Sequence, residues 1–190
     1  MPLWIKITLT LFIFLLVPIY WRAYGLTNFL WFSDIALFCT CLALWLESRL
    51  LSSMMALGVM IPELVWSFNF FTGGALFGGI EYLFDPVTPG YFRILTLFHI
   101  AVPLILLWML SRLGYDRRAL FWQTVLVWVL LSLTYLVTDR SENINWVFGF
   151  GPEPQTVLSP LVYLAVWMII VPVGILLPTH FLLVRFFSRS

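Results

Sequence analysis

Charge is what this chain has least of. Of its 190 residues nine are acidic and ten basic, while 62% are hydrophobic. A water-soluble domain covers its surface with charged side chains, so a composition this poor in them excludes a separate soluble domain and makes lipid the solvent. The net charge of +1 supplies neither the basic face that nucleic acid requires nor a polybasic membrane patch. Cysteine is scarce as well. Cys39 and Cys41 sit two apart in an apolar run, where they point to different sides of a helix and cannot bridge each other, so they read as packing residues. The chain also lacks HExxH, GxSxG, Walker and CxxC patterns, so no familiar catalytic motif points to a reaction. It has no internal repeat and no matched pair of interrupted helices, which counts against an inverted-repeat transporter.

What the chain does have is long apolar runs. Each crossing of the hydrocarbon needs about 20 apolar residues, and runs of that kind fall at about 3–20, 28–46, 50–71, 94–110, 119–138 and 160–184. They are too long and too uniformly apolar for barrel strands, and only helices satisfy their own backbone within one lipid-exposed segment. The expected fold is all-α: one domain over residues 1–190, a polytopic membrane protein built as a six-transmembrane-helix bundle. The first run, with Lys6 ahead of it and Ala23-Tyr24-Gly25 after it, has the look of a secretory signal, but is read as a true span.

Basic residues set the orientation, because cytoplasmic loops retain Lys and Arg. An even number of crossings puts both termini on one side. With them inside, Lys6, Arg49, Arg112, Arg117, Arg118, Arg185 and Arg189 are cytoplasmic and Arg22, Arg93 and Arg140 are outside. Both termini are therefore expected in the cytoplasm. Trp4, Trp45, Trp108 and Trp122 then fall near the inner boundary and Trp21, Trp31 and Trp146 near the outer one, as an aromatic belt would.

An ionisable residue inside a span costs roughly 2.5–3.5 kcal/mol at a helix centre and calls for a reason. Asp34, Glu63 and His99 are such residues. At 1.5 Å per residue they lie about 9, 12 and 8 Å below the outer ends of their respective helices. Three helices thus bring a polar group to one depth. Pro62 and Pro103 each leave the carbonyl four residues earlier, at Gly58 and at His99 itself, without a helical partner; prolines in membrane helices also serve as simple kinks.

Two outer loops, over about 72–93 and 139–156, exceed ordinary connection lengths and carry aromatic, Gly and Asn residues suited to an ordered cover. A short interfacial helix is expected around 75–84. Arg93 and Asp85 flank the outer mouth, where they neutralise each other or receive a charged lipid head group, and Asn143 and Asn145 are placed to reach down from the second loop. The expected ligand contacts are therefore Asp34, Glu63, His99, Arg93 and Asn145. His180 reads as an interfacial residue near the inner end of the last span, and Gln123 as an anchor.

Three roles remain open for Asp34, Glu63 and His99. They can hold a divalent metal, with bound water available for hydrolysis. They can serve directly as acid and base or as the polar contacts of a ligand. Or they pin helices together and bind nothing.

Asn28-Phe29-Leu30-Trp31-Phe32-Ser33-Asp34, Gly114-Tyr115-Asp116-Arg117-Arg118-Ala119, Asn143-Ile144-Asn145-Trp146, Pro154-Gln155-Thr156 and Pro178-Thr179-His180 together resemble a group of bacterial multi-pass membrane proteins described only as membrane-associated. The resemblance covers nearly the whole chain. It implies a setting, the bacterial inner membrane, and no catalytic assignment. The expected activity is binding, with modification an open extension, of a lipid or other amphipathic molecule in a polar pocket in the outer half of the bilayer. The alternative is an accessory subunit whose polar cluster only fixes packing. Membrane lipids are the expected partners, and the flat apolar helix faces suit a second copy or a partner subunit equally.

Overall fold

A computed structural model describes residues 1–75, 80–151 and 153–188, with the backbone alone at residues 81 and 82. The described chain is helical without strands. In order come α1 (Leu3–Tyr24), a 3-10 turn (Thr27–Leu30), α2 (Phe32–Leu46), α3 (Arg49–Phe71), a second turn (Glu81–Phe84), α4 (Gly90–Thr96) and α5 (Phe98–Leu113). Then follow α6 (Ala119–Val137), a third turn (Ile144–Trp146), α7 (Pro160–Val171), a π-helical stretch (Pro172–Leu176) and α8 (Leu177–Phe187). Five helical stretches are long and apolar enough to cross a membrane: Leu3–Tyr24, Arg49–Phe71, Gly90–Leu113, Ala119–Val137 and Pro160–Phe187. α2, at 15 residues, is apolar but shorter.

Helix α3 is the centre of the bundle and packs against α2, α5, α6 and α8. Its buried face runs Ser52, Ser53, Met55, Ala56, Val59, Met60 and Glu63, a spacing of three and four that keeps one stripe inward. Small residues on that stripe let neighbouring backbones approach closely. Gly58 takes this furthest, since a Cβ there would lie 2.2 Å from Gln123 Nε2 of α6. α1 is peripheral and leans on α2 and the 27–30 turn.

The breaks in the helices have local causes. Ser48 caps α3 by accepting a hydrogen bond from the Leu51 N–H at 3.2 Å, and Glu47 before it takes a left-handed φ of 50° that ends α2. The Glu47 carboxylate is held down to about 2 by hydrogen bonds from the Met1 amino group and from Lys6 Nζ at 2.5 and 2.9 Å. Between α4 and α5 the chain tightens at Leu97, with i to i−3 bonds from Leu97 to Ile94 and from Ile100 to Leu97. Pro172, within the last span, deprives the Met168 carbonyl of its helical partner. The Trp128 indole of α6 donates to that carbonyl at 2.8 Å, and the π-helical stretch absorbs the remaining mismatch.

The expected spans shift at their ends. α1 continues to Tyr24, and α2 begins at Phe32 because residues 27–30 form a separate turn. Of the interfacial helix expected around 75–84, residues 76–79 lie outside the described residues and 81–84 make a single 3-10 turn. Cys39 and Cys41 are free thiols, the latter 3.4 Å from the Thr10 hydroxyl.

The described part of the loop between α6 and α7 is tightly folded. Asn143, with a left-handed φ of 41°, donates through Nδ2 to the carbonyls of Gly149 and Gly151 and accepts through Oδ1 from the Phe148 N–H. Gly149 is hemmed in by backbone, as an added Cβ would meet Gln155 N at 2.3 Å and Glu153 O at 2.5 Å. Gly174, on the last span, meets nothing within 4 Å. Gly149→Ala is therefore expected to lower unfolding stability by about 1–3 kcal/mol, whereas Gly174→Ala should be neutral or mildly stabilising; thermal unfolding of both variants in detergent checks the contrast.

Candidate functional site

Asp34 lies in the first turn of α2, Glu63 follows Pro62 in α3, and His99 begins α5 just after the break at Leu97. These three helices pack against one another. Glu63, 4% exposed, meets His99 through a 2.7 Å contact between Oε2 and Nδ1, a distance typical of a charge-assisted hydrogen bond. A carboxylate on Nδ1 fixes the ring and leaves Nε2 as the nitrogen that faces other partners. Asp34 is 3% exposed, and its Oδ1 has no hydrogen-bond partner among the described residues. It lies within electrostatic reach of both His99 and Glu63.

The walls of this centre are aromatic. The Trp66 ring stacks on His99 at 4.1 Å between centroids and Phe98 covers the imidazole at 4.2 Å. Phe70 stacks on Trp66 at 5.2 Å and Phe84, at the end of the Glu81–Phe84 turn, lies 5.5 Å beyond. Trp66 and Phe70 are four apart on α3, so their rings share a face. Low polarity around the pair strengthens the Glu63–His99 bond and raises the cost of leaving Asp34 unpaired.

No family model, curated protein or solved structure matches this chain. The site is therefore read from its own geometry.

That geometry does not gather a metal set. No group of three or more His, Cys, Asp or Glu side chains among the described residues could hold a metal ion. Glu63 and His99 are bonded to each other and Asp34 Oδ1 to neither, so the arrangement lends no support to the expected divalent metal.

Arg93 and Asn145 are committed elsewhere. Arg93 donates through Nε to the Leu83 carbonyl and through a terminal guanidinium nitrogen to the Asp85 carbonyl at 3.3 Å. It ties down residues 83–85 by backbone, rather than neutralising the Asp85 carboxylate. Asn145 uses its whole carboxamide on structure. Nδ2 donates to the Leu30 carbonyl at 2.7 Å and to Thr134 Oγ1 at 3.4 Å, and Oδ1 accepts from the Phe32 N–H at 2.9 Å. Its own carbonyl accepts from the Trp167 indole at 3.0 Å. One residue thus joins the 27–30 turn, the start of α2, α6 and α7. It caps the helix that carries Asp34, and so acts on the centre through the placement of α2.

Several polar groups outside the centre gain partners or lose them in ways that the sequence does not display. Gln123, expected as an anchor, is buried with Oε1 unpartnered among the described residues, against Gly58, whose carbonyl Pro62 frees. Beside the turn between α5 and α6 the Tyr115 hydroxyl and His180 Nδ1 are 2.8 Å apart. Burial, reinforced by the Asp116 charge, pushes the Tyr115 phenol well above its ordinary range. Asp116 is held below the usual carboxylate range chiefly by the Arg118 side chain, and its N–H donates to Ser53 Oγ at 2.9 Å. Arg49 donates to the Tyr115 carbonyl at 2.6 Å. This cluster fastens the 114–118 loop to α3 and α8.

Asn145→Ala strands the Phe32 N–H and the Leu30 carbonyl together, so we expect a loss of about 2–3 kcal/mol of unfolding stability. Asn145→Asp, which keeps the cap acceptor and loses both donors, should fall between the wild type and Asn145→Ala when unfolding in detergent is followed by circular dichroism.

Proposed function

We propose that this chain is a six-span protein of the bacterial inner membrane with both ends in the cytoplasm. Its Asp34, Glu63 and His99 centre takes the polar part of a lipid or other amphipathic molecule. The observation that carries the reading is Asp34: a carboxyl 3% exposed, without a hydrogen-bond partner among the described residues, beside an imidazole that Glu63 orients. A buried polar group left unpaired costs about 1–3 kcal/mol, and more when charged. A hydroxyl, amide or ammonium group of a ligand placed between Asp34 and His99 would offset that cost.

Six crossings require α2 to be one of them. Fifteen residues span about 22 Å, short of the roughly 30 Å hydrocarbon thickness, and the 27–30 turn with its Asn145 clamp extends the element toward the outer surface. Seven basic residues against three then favour cytoplasmic ends. The inner-membrane setting rests on the resemblance to bacterial membrane-associated proteins.

An accessory subunit with a purely structural cluster is the second reading. The direct Glu63–His99 bond favours it, since a bonded pair joins α3 to α5 without any ligand. The two readings part on Asp34→Leu and His99→Ala, purified in mild detergent and examined by native mass spectrometry and lipid extraction. A ligand site should lose its co-purifying amphipathic molecule about tenfold or more in both variants, the equivalent of one charged hydrogen bond. A structural cluster should keep the same bound species, with Asp34→Leu as stable as the wild type or more so.

A further inference from the structure

A second feature lies away from the polar centre, on the face that α1 shares with α4 and α5. Because α1 leans on α2 and the 27–30 turn, an apolar furrow opens between it and the bent helix Gly90–Leu113. Two hollows of about 300 and 430 Å³ share Trp4, Ile5 and Ile105 on their linings and so run into one another. Leu9 and Phe98 line the floor at 6% and 3% exposure, between the more exposed Ile94 and Leu104. From Ile94 to Arg112 the furrow follows 18 residues of helix, about 27 Å, close to the hydrocarbon thickness of about 30 Å.

Its ends differ. Ile94, Leu97 and Phe98 surround one end, and Arg112 lines the other beside Trp4 and Trp108. Arg112 is exposed, and the ion pairs among the described residues involve Glu47, Glu63 and Asp116, none of them with Arg112. Lys6, the nearby cation on α1, is held by Glu47. A guanidinium without a carboxylate, framed by tryptophans at the mouth of an apolar channel, is complementary to a phosphate with a hydrocarbon tail. A helix about 10 Å across laid along the same length would occupy roughly 2,000 Å³, several times the hollows available.

We propose that this furrow seats an acyl chain of an anionic phospholipid from the leaflet at the Arg112 end, with its phosphate on Arg112. The site is separate from the Asp34, Glu63 and His99 centre and stands without it.

The test uses the full chain, delipidated in detergent and offered equimolar palmitoyl-oleoyl phosphatidylglycerol and phosphatidylcholine, with bound lipid read by native mass spectrometry. Wild type should retain phosphatidylglycerol about fivefold over phosphatidylcholine, the attraction of one basic side chain for an anionic head group. Arg112→Gln, a surface change that leaves the bundle intact, should bring the ratio to about one. Ala101→Trp, which fills the furrow, should lose retained lipid of both kinds. A preference unchanged by Arg112→Gln overturns the assignment. So does a wild-type dimer that Ala101→Trp dissociates, which would make a second copy of the chain the occupant.

Discussion

Inside hydrocarbon a backbone N–H or C=O has no partner except the protein itself, and this constraint governs how the chain is built. Uninterrupted helices meet it alone. Every interruption needs a side chain to close it, and the bundle supplies these at its key breaks. Trp128 takes the Met168 carbonyl released by Pro172. Asn145 takes the Leu30 carbonyl and the Phe32 N–H where the 27–30 turn gives way to α2. Ser48 closes the start of α3. Polar side chains that look available for function in a list of residues are in this way largely consumed by the fold.

The exceptions define the site. Asp34, Thr40 and Gln123 are buried and each keeps an oxygen without a partner among the described residues, as does the Tyr163 hydroxyl on α7. Of the four, only Asp34 is a carboxyl, and it lies in the field of a bonded carboxylate and imidazole. Chemical potential is therefore concentrated where α2, α3 and α5 meet. The rest of the interior is packing: small residues on the inward stripe of α3 and rings stacked from His99 out to Phe84.

Much of this was legible in the sequence, for physical reasons that also mark where reading stops. Helix rise is constant, so counting residues sets Asp34, Glu63 and His99 at similar distances from the ends of their expected spans, and the helices that carry them do pack together. Hydropathy and length identified the helices, because lipid imposes both. The start of α2 lies four residues beyond the expected start of the span because Asn145, more than a hundred positions away, fixes it. Asn145 and Arg93 stand out in a sequence as donors and acceptors, but the backbone atoms they bond do not. Rotation about a helix axis was equally hidden, so a shared depth for three residues could not say that two would bond and the third stand apart. Nothing in the sequence sets Trp66, Trp128 and Trp167 apart, although one stacks on His99 and the other two donate to carbonyls.

A buried Glu63–His99 hydrogen bond joins α3 to α5. The decisive measurement is a double-mutant cycle with Glu63→Gln, His99→Phe and the combined variant, read as unfolding free energy in detergent. A bonded pair predicts a coupling of about 1–3 kcal/mol, with the double variant less destabilised than the two single losses added together. Strict additivity would mean that the two side chains do not touch, and would contradict the account.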